Sequence, residues 1–237
     1  MTQNVRPETP ERIYAIGDIH GRLDLLERAI AAIQRDVEEH GPAALTVTLG
    51  DYVDRGPESC GVLGRLAENP FPTTYVAIKG NHEALLEDFL ADSSTGSYWR
   101  QQGGAQTLQS YGIRVGGLIG VNFATAQKQF EAALPPAHRQ FLLSLKVSFT
   151  RGNYFFCHAG VRPDVPLDRQ SDQDMLWIRD DFLSSSKNFG KIVVHGHTPL
   201  PEPLVLPNRI SIDTGAFMTG RLTCVALEAG DPRFLPV

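Results

Sequence analysis

The first third of the chain alternates short apolar runs with stretches whose apolar residues recur at helical spacing. Ile13 to Ile16, Leu45 to Leu49 and Tyr75 to Lys79 have the length and content of buried strands. Between the first two, Leu23, Leu26, Ile30, Ile33 and Val37 fall at steps of three and four, the apolar face of a helix that Gly41-Pro42 stops. A shorter helix is predicted over Ser59 to Ala67. Strands alternating with helices imply parallel pairing and a layered α/β fold.

Beyond that region the pattern changes. Residues 92–120 are rich in Gly and Ser, with Gly103-Gly104 and Gly116-Gly117 punctuating Tyr98, Trp99 and Tyr111. They predict a loop-rich excursion with helical pieces rather than a second domain. Helices follow over Phe123 to Ala133 and Pro135 to Leu145, the latter opened by proline. Val147 to Thr150 and Asn153 to His158 flank Arg151-Gly152 as a hairpin. A helix over Asp172 to Leu183 and strands over Lys191 to His195, Arg209 to Asp213 and Leu222 to Leu227 complete the reading. The expected sum is a flexible N-terminal segment, 1–11, and one domain, 12–237, that holds two sheets and the 92–120 excursion.

Composition narrows the class. The apolar and charged fractions, 42% and 21%, allow a sizeable core and argue against disorder. A net charge of −5 with no Lys/Arg-dense face argues against nucleic acid as a partner. No apolar stretch approaches the roughly 18 uncharged residues of a membrane span, so no membrane partner is expected. Met1 to Arg12 is polar, unlike a secretory signal. Cys60, Cys157 and Cys224 are odd in number and widely spaced, which fits reduced structural thiols and a cytoplasmic setting.

Five glycine-flanked clusters carry candidate chemistry: Gly17-Asp18-Ile19-His20-Gly21, Gly50-Asp51-Tyr52-Val53-Asp54-Arg55-Gly56, Gly80-Asn81-His82-Glu83, His158-Ala159-Gly160 and His195-Gly196-His197. Asp18 and His20 are two apart, so in extended chain they share a face and can share a metal. Any one cluster is weak, because Asp and Asn favour turns for backbone reasons. Recurrence is the stronger signal: three successive strands end in Gly-Asp or Gly-Asn. Open α/β sheets assemble sites at such strand ends, and Asp, His and Asn together suit divalent metals.

This set of motifs, from Gly17 to Asp213-Thr214-Gly215-Ala216, resembles the phosphoprotein phosphatase branch of the calcineurin-like metallophosphoesterases, in its bacterial serine/threonine form. The resemblance implies an α/β four-layer sandwich, two mixed β-sheets flanked by helices. It implies two divalent metal ions, with manganese ahead of iron or zinc. The first would be held by Asp18, His20 and Asp51, the second by Asp51, Asn81, His158 and His197, with Asp51 bridging. A metal-bridging hydroxide would attack phosphorus directly, His82 would be the general acid and Asp54 would orient it. Arg55, Arg179 and Asn81 would bind the phosphoryl group. The substrate would be a phosphorylated protein or peptide, or a small phosphorylated nucleotide.

The main rival within the fold is a symmetrical diadenosine tetraphosphatase. Members of that kind carry Ala in place of Asp54 and Asp in place of Glu83, whereas this chain has the phosphatase form at both. Its compactness and Leu222-Thr223-Cys224 are nonetheless similar to the rival. A non-catalytic metal-binding scaffold would be expected to have lost ligands, and none is missing.

Pro199 stands where many metallophosphoesterases carry a further histidine. That leaves His197 as the ligand, and His195 either supporting it or packed, with packing favoured. His40 and His138 are expected to be solvated, and Glu83 to be a helix-start carboxylate. Strand alternation puts Phe155 and Cys157 on one face and Phe156 and His158 on the other, which makes Cys157 a core thiol. Tyr98, Trp99 and Arg100 are expected to pack the excursion down rather than line a substrate groove.

Overall fold

A computed structural model of the chain describes residues 12–114, 122–228 and 230–237; the segment 1–11, the last part of the excursion (115–120), and residues 121 and 229 lie outside the described residues. The first sheet holds β1 (Arg12–Ile16), β2 (Ala44–Thr48), β3 (Thr74–Ala77), β9 (Cys224–Leu227) and β10 (Arg233–Leu235), in the order β10-β9-β1-β2-β3. β1 pairs parallel with β2 and β2 with β3, as the strand–helix alternation predicts, and β9 runs antiparallel to β1 and to β10. The second sheet holds β4 (Ser148–Arg151), β5 (Tyr154–Cys157), β6 (Ile192–His195), β7 (Leu204–Leu206) and β8 (Arg209–Ser211), in the order β4-β5-β6-β8-β7. There β5, β6 and β8 are parallel and the two outer strands antiparallel.

Both faces of the central strands are buried, which explains why their sequences are continuous rather than alternating apolar runs. Ile13 and Ala15 of β1 and Leu45 and Val47 of β2 meet Phe156, Val194 and Ile210 in a core between the sheets. Burying a side chain such as Phe156 there contributes roughly 1.5–3 kcal/mol. On the opposite face, Tyr14 and Ile16 pack on Leu26, Ile30 and Ile33 of α1 (Leu23–His40) and on Val62, Leu63 and Leu66 of α2 (Ser59–Ala67). Outside the second sheet, Phe155, Cys157 and Val193 pack on Met175 and Phe182, from the helices Asp172–Trp177 and Asp180–Leu183. Two mixed sheets between helical layers is the four-layer sandwich expected. Among the described residues no helix is long and apolar enough to cross a membrane.

Several local expectations change. The helix predicted over Asp172 to Leu183 is interrupted at Ile178-Arg179, where Arg179 has φ −132° and ψ −101°. β7 and β10 are only three residues long, too short for periodicity to reveal. The hairpin turns at Gly152-Asn153, one residue later than read. After α3 (Asn81–Ala91), the described part of the excursion is largely helical: Ser93–Thr95, α4 (Gly96–Trp99), a wide turn Arg100–Gly104 and α5 (Ala105–Ser110) follow one another, with helical geometry broken at Gly103. α6 (Phe123–Ala133) and α7 (Pro136–Ser144) come next. His40 is exposed as expected, but His138 is not solvated: it is buried on α7, 2.7 Å from the Tyr111 hydroxyl. That hydroxyl supplies the polar partner that the surrounding polar sequence had suggested water would supply.

Candidate active site

The ends of β1, β2, β5 and β6 and the start of α3 converge on Asp51. Its carboxylate faces two ways: Oδ2 lies 3.3 Å from His20 Nε2 and Oδ1 lies 3.4 Å from His158 Nε2. Two groups share it, His20–Asp51–His82 and Asp51–His158–His197, each with ligand-type atoms within 4.8 Å of one another. Burial opposes ionisation of Asp51, but His158, His82, His20 and His197 around it hold its carboxyl well below the usual range. A carboxylate between two imidazole groups is the geometry a bridging ligand needs.

Close approach is what the glycines provide. A Cβ on Gly80 would lie 2.2 Å from Asp51 Oδ1, and one on Gly196 would lie 2.0 Å from Asp18 Oδ1. Three of the predicted ligands, His20, Asp51 and His197, have φ of 47°, 52° and 69°, a left-handed conformation that costs of order 1–3 kcal/mol and persists only where neighbours impose it.

The tautomers are set by carbonyls. His20 Nδ1–H donates to Val53 O and His158 Nδ1–H to Leu49 O, both at 2.8 Å, so each Nε2 turns a lone pair inward. Burial lowers the His20 and His197 imidazoles to about 3 and about 2, which keeps them neutral. His158 Nε2, His197 Nδ1 and Asn81 Oδ1 then lie 2.8–3.1 Å apart. At most one proton, on His197 Nδ1, is available among these three atoms, and His197 Nε2 is a buried atom with no partner. Such a donor set fits a divalent cation.

Asp18 sits slightly apart. Its carboxylate accepts the His197 N–H at 3.0 Å, and it belongs to neither three-residue group. Burial and the nearby Asp213 and Asp51 raise Asp18 well above the ordinary carboxylate value, and burial raises Asp213 to about 6. Three clustered carboxylates again suit added positive charge. Asp213, which lies just past β8, belongs to the motif that closes the family resemblance, but the sequence assigned it no role. Its signal was present: Asp213-Thr214-Gly215 is another strand end followed by Asp and Gly.

His82 lies beside this centre. Its Nδ1–H donates to Asp54 Oδ2 at 2.7 Å, and both residues are buried. Burial disfavours the imidazolium, yet Asp51 and Asp54 outweigh it and raise His82 above its ordinary value. Arg55 donates to His20 Nε2 at 3.0 Å and lies over the Phe217 ring. Arg179 is on the other flank, exposed, donating to Thr198 Oγ1 at 3.1 Å. The two guanidinium groups thus stand on either side of the ligand cluster. A cavity of about 350 Å³ opens beside Arg55, lined by Gln101, Gln102, Gly103, Gln106 and Phe217.

His195 packs edge-on against Phe182 and lies 2.6 Å from Ser211 Oγ, so packing accounts for it. Cys157 is a buried thiol donating to Gly160 O. Tyr98 is exposed. Glu83 is more than a helix-start carboxylate, since it also accepts N–H groups from Asp51, Tyr52 and Val53. Trp99 packs the excursion down as expected and, in addition, donates its indole N–H to Asp54.

Known proteins are similar to this chain. A family model described as calcineurin-like phosphoesterase matches residues 11–224. Serine/threonine-protein phosphatase 2 of Salmonella typhimurium is 28% identical over 229 residues, 93% of this chain and 94% of that one. The asymmetrical bis(5'-nucleosyl)-tetraphosphatase PrpE of Anoxybacillus flavithermus is 25% identical, covering 89% of this chain and 88% of its own. A solved cold-active protein tyrosine phosphatase superposes with a TM-score of 0.64 at 16% identity, over 97% of this chain and 81% of that chain, a likeness of fold.

Proposed function

We propose, for a chain that belongs to the calcineurin-like phosphoesterase family, that it hydrolyses phosphomonoesters and acts as a serine/threonine phosphoprotein phosphatase. The observation that carries the reading is the buried His82–Asp54 pair, 2.7 Å apart, set against the Asp51 cluster. In this reading Asp18, His20 and Asp51 hold one divalent ion, and Asp51, Asn81, His158 and His197 hold a second, with manganese the first candidate. Two such ions would supply Lewis acidity and lower the pKa of a water between them.

The residues of the chain divide the remaining work. Arg55 and Arg179 receive the phosphoryl oxygens from two sides, where guanidinium forks match their geometry. Asp54 holds Nδ1–H of His82, so that Nε2 carries the mobile proton. As a P–O bond forms to the oxygen of water and the P–O bond to the substrate breaks, that proton passes from Nε2 to the departing alkoxide. The proton lost by water recharges the imidazole. The cytoplasmic setting expected from the cysteines belongs to the same proposal.

A nucleotide tetraphosphatase is the second reading, favoured by the relative from Anoxybacillus flavithermus. That relative's name specifies asymmetrical cleavage, where the motifs had raised the symmetrical kind. A phosphate leaving group needs little protonation, whereas a serine alkoxide needs much, and a buried acid with its own carboxylate serves the ester better. The test is kinetic. His82→Ala should lose roughly 10²–10⁴-fold in kcat on a phosphoserine peptide and less on an aryl phosphate, whose leaving group departs unaided. Equal losses on both would overturn the acid role, and faster turnover of diadenosine tetraphosphate than of the peptide would overturn the substrate.

A further inference from the structure

The described part of the excursion between α3 and α6 meets the site at the Asp54-Arg55 turn, and its side-chain hydrogen bonds there go to Asp54. Trp99 Nε1–H donates to Asp54 Oδ2 at 2.9 Å, and the Thr107 hydroxyl donates to Asp54 Oδ1 at 2.6 Å. Thr107 grips the residue at both ends, because the same hydroxyl accepts the Asp54 N–H at 2.8 Å. With His82, these donors use three of the carboxylate's roughly four lone-pair positions and fix its plane. We infer that Trp99 and Thr107 are positioning residues for His82, acting through Asp54, and that the excursion exists in part to aim the acid.

Three features of the structure support this role over simple packing. Asp54 and Arg55 are consecutive non-glycine residues with φ of 72° and 68°, a strained pair that only its surroundings can maintain. The excursion holds both, through Thr107 on the Asp54 N–H and through Gly103 O, which accepts the Arg55 N–H at 3.2 Å. Trp99 is itself immobile, fully buried with its ring centroid 4.7 Å from that of Phe89 and 6.2 Å from that of Phe130. Its N–H is therefore aimed by the core rather than by a rotatable chain. An Asp54 bonded to His82 alone could turn about its own side chain and carry the imidazole with it.

The inference rests on His82 being the acid, and the experiment separates the two claims. Trp99→Phe keeps a ring in the core and removes the N–H; Thr107→Val keeps the shape and removes the hydroxyl; Thr107→Ser restores it. On a phosphoserine peptide, the first two should each lose about 10-fold in kcat, the scale of one hydrogen bond to a charged group, with KM unchanged. Their losses on p-nitrophenyl phosphate should be smaller, metal content should be unchanged, and Thr107→Ser should recover most of the rate. In a His82→Ala background neither change should reduce kcat further, as residues acting as a unit require. Equal losses on both esters, or a full additional loss in the His82→Ala background, would overturn the inference. If Thr107→Val fails to fold, Trp99→Phe decides alone. A leaving-group effect in His82→Ala without one in Trp99→Phe would overturn this inference and leave the acid role standing; none in His82→Ala would overturn both.

Discussion

Glu83→Gln isolates the carboxylate that holds the Asp51 turn in place. Glu83 is fully buried at the third position of α3, and all four of its partners are backbone donors. Oε2 accepts the N–H groups of Asp51 and Gly80 at 2.8 and 2.9 Å; Oε1 accepts those of Tyr52 and Val53 at 2.8 and 3.2 Å. Burial and the neighbouring Asp51 push its carboxyl upward, but only the ionised form offers acceptors on both oxygens to four donors. Gln keeps the volume and replaces one oxygen with NH2. Whichever way the amide turns, two buried N–H groups lose their acceptor and face another donor. At about 1–3 kcal/mol each, the cost is about 2–6 kcal/mol, out of a total stability of about 5–15 kcal/mol. With a urea m-value of about 3 kcal/mol/M, the unfolding midpoint of chelated protein should fall by about 0.7–2 M, followed by circular dichroism. Glu87→Gln, one turn on, breaks only an ion pair with Lys79 at the surface and should cost below about 1 kcal/mol. Equal midpoints for the Glu83 and Glu87 variants would refute the claim that Glu83 anchors the turn.

Three further changes test other parts of the argument. Gly80→Ala puts a methyl 2.2 Å from Asp51 Oδ1, so the metal content of purified protein should drop; two retained equivalents would contradict the bridging geometry. Chelation should abolish activity and lower Tm, with about 2.7 kcal/mol lost relative to metal at 100 times Kd, and Mn²⁺ should restore both; full activity after chelation would sink the two-metal reading. Asp36, far from the site, is opposed by burial but held below its ordinary 3.8 by Arg233 and Tyr14. A depressed folded pKa means its contribution is complete above pH 3.8 and fades as pH falls through the lower folded value. Asp36→Asn should therefore be less stable at neutral pH yet lose less stability below pH 4 than the wild type; parallel Tm–pH curves would refute this.

How much of this was legible in the chain depends on where the chemistry sits. The strand-end clusters were readable because parallel strands deliver their C-terminal ends to one place, and each of Asp18, Asp51 and Asn81 announces itself beside a glycine. α1 was readable to its end because an amphipathic helix repeats its pattern over several turns and Gly41-Pro42 stops it. β7 and β10 were not, since three residues cannot display a period; β8 is equally short, but the alternation of Ile210 and Ile212 runs past its end. Trp99 and Thr107 illustrate a deeper limit. They stand 45 and 53 residues from Asp54 in sequence, in a Gly- and Ser-rich stretch whose pattern says nothing of what it touches. Trp99 packs the excursion down as expected, but a sequence that suggests a ring is inside does not say where its single N–H points. The remaining signal was one of accounting. A buried Asp54 must find donors beyond His82, and the excursion offers a buried indole and a buried hydroxyl. Beside them, Gly103-Gly104 marks a place where backbone meets backbone: a Cβ on Gly103 would lie 2.6 Å from Arg55 N. Those three facts, taken together, tie the excursion to the Asp54-Arg55 turn, so the segment that looked least informative is the one that bears on how the acid is held.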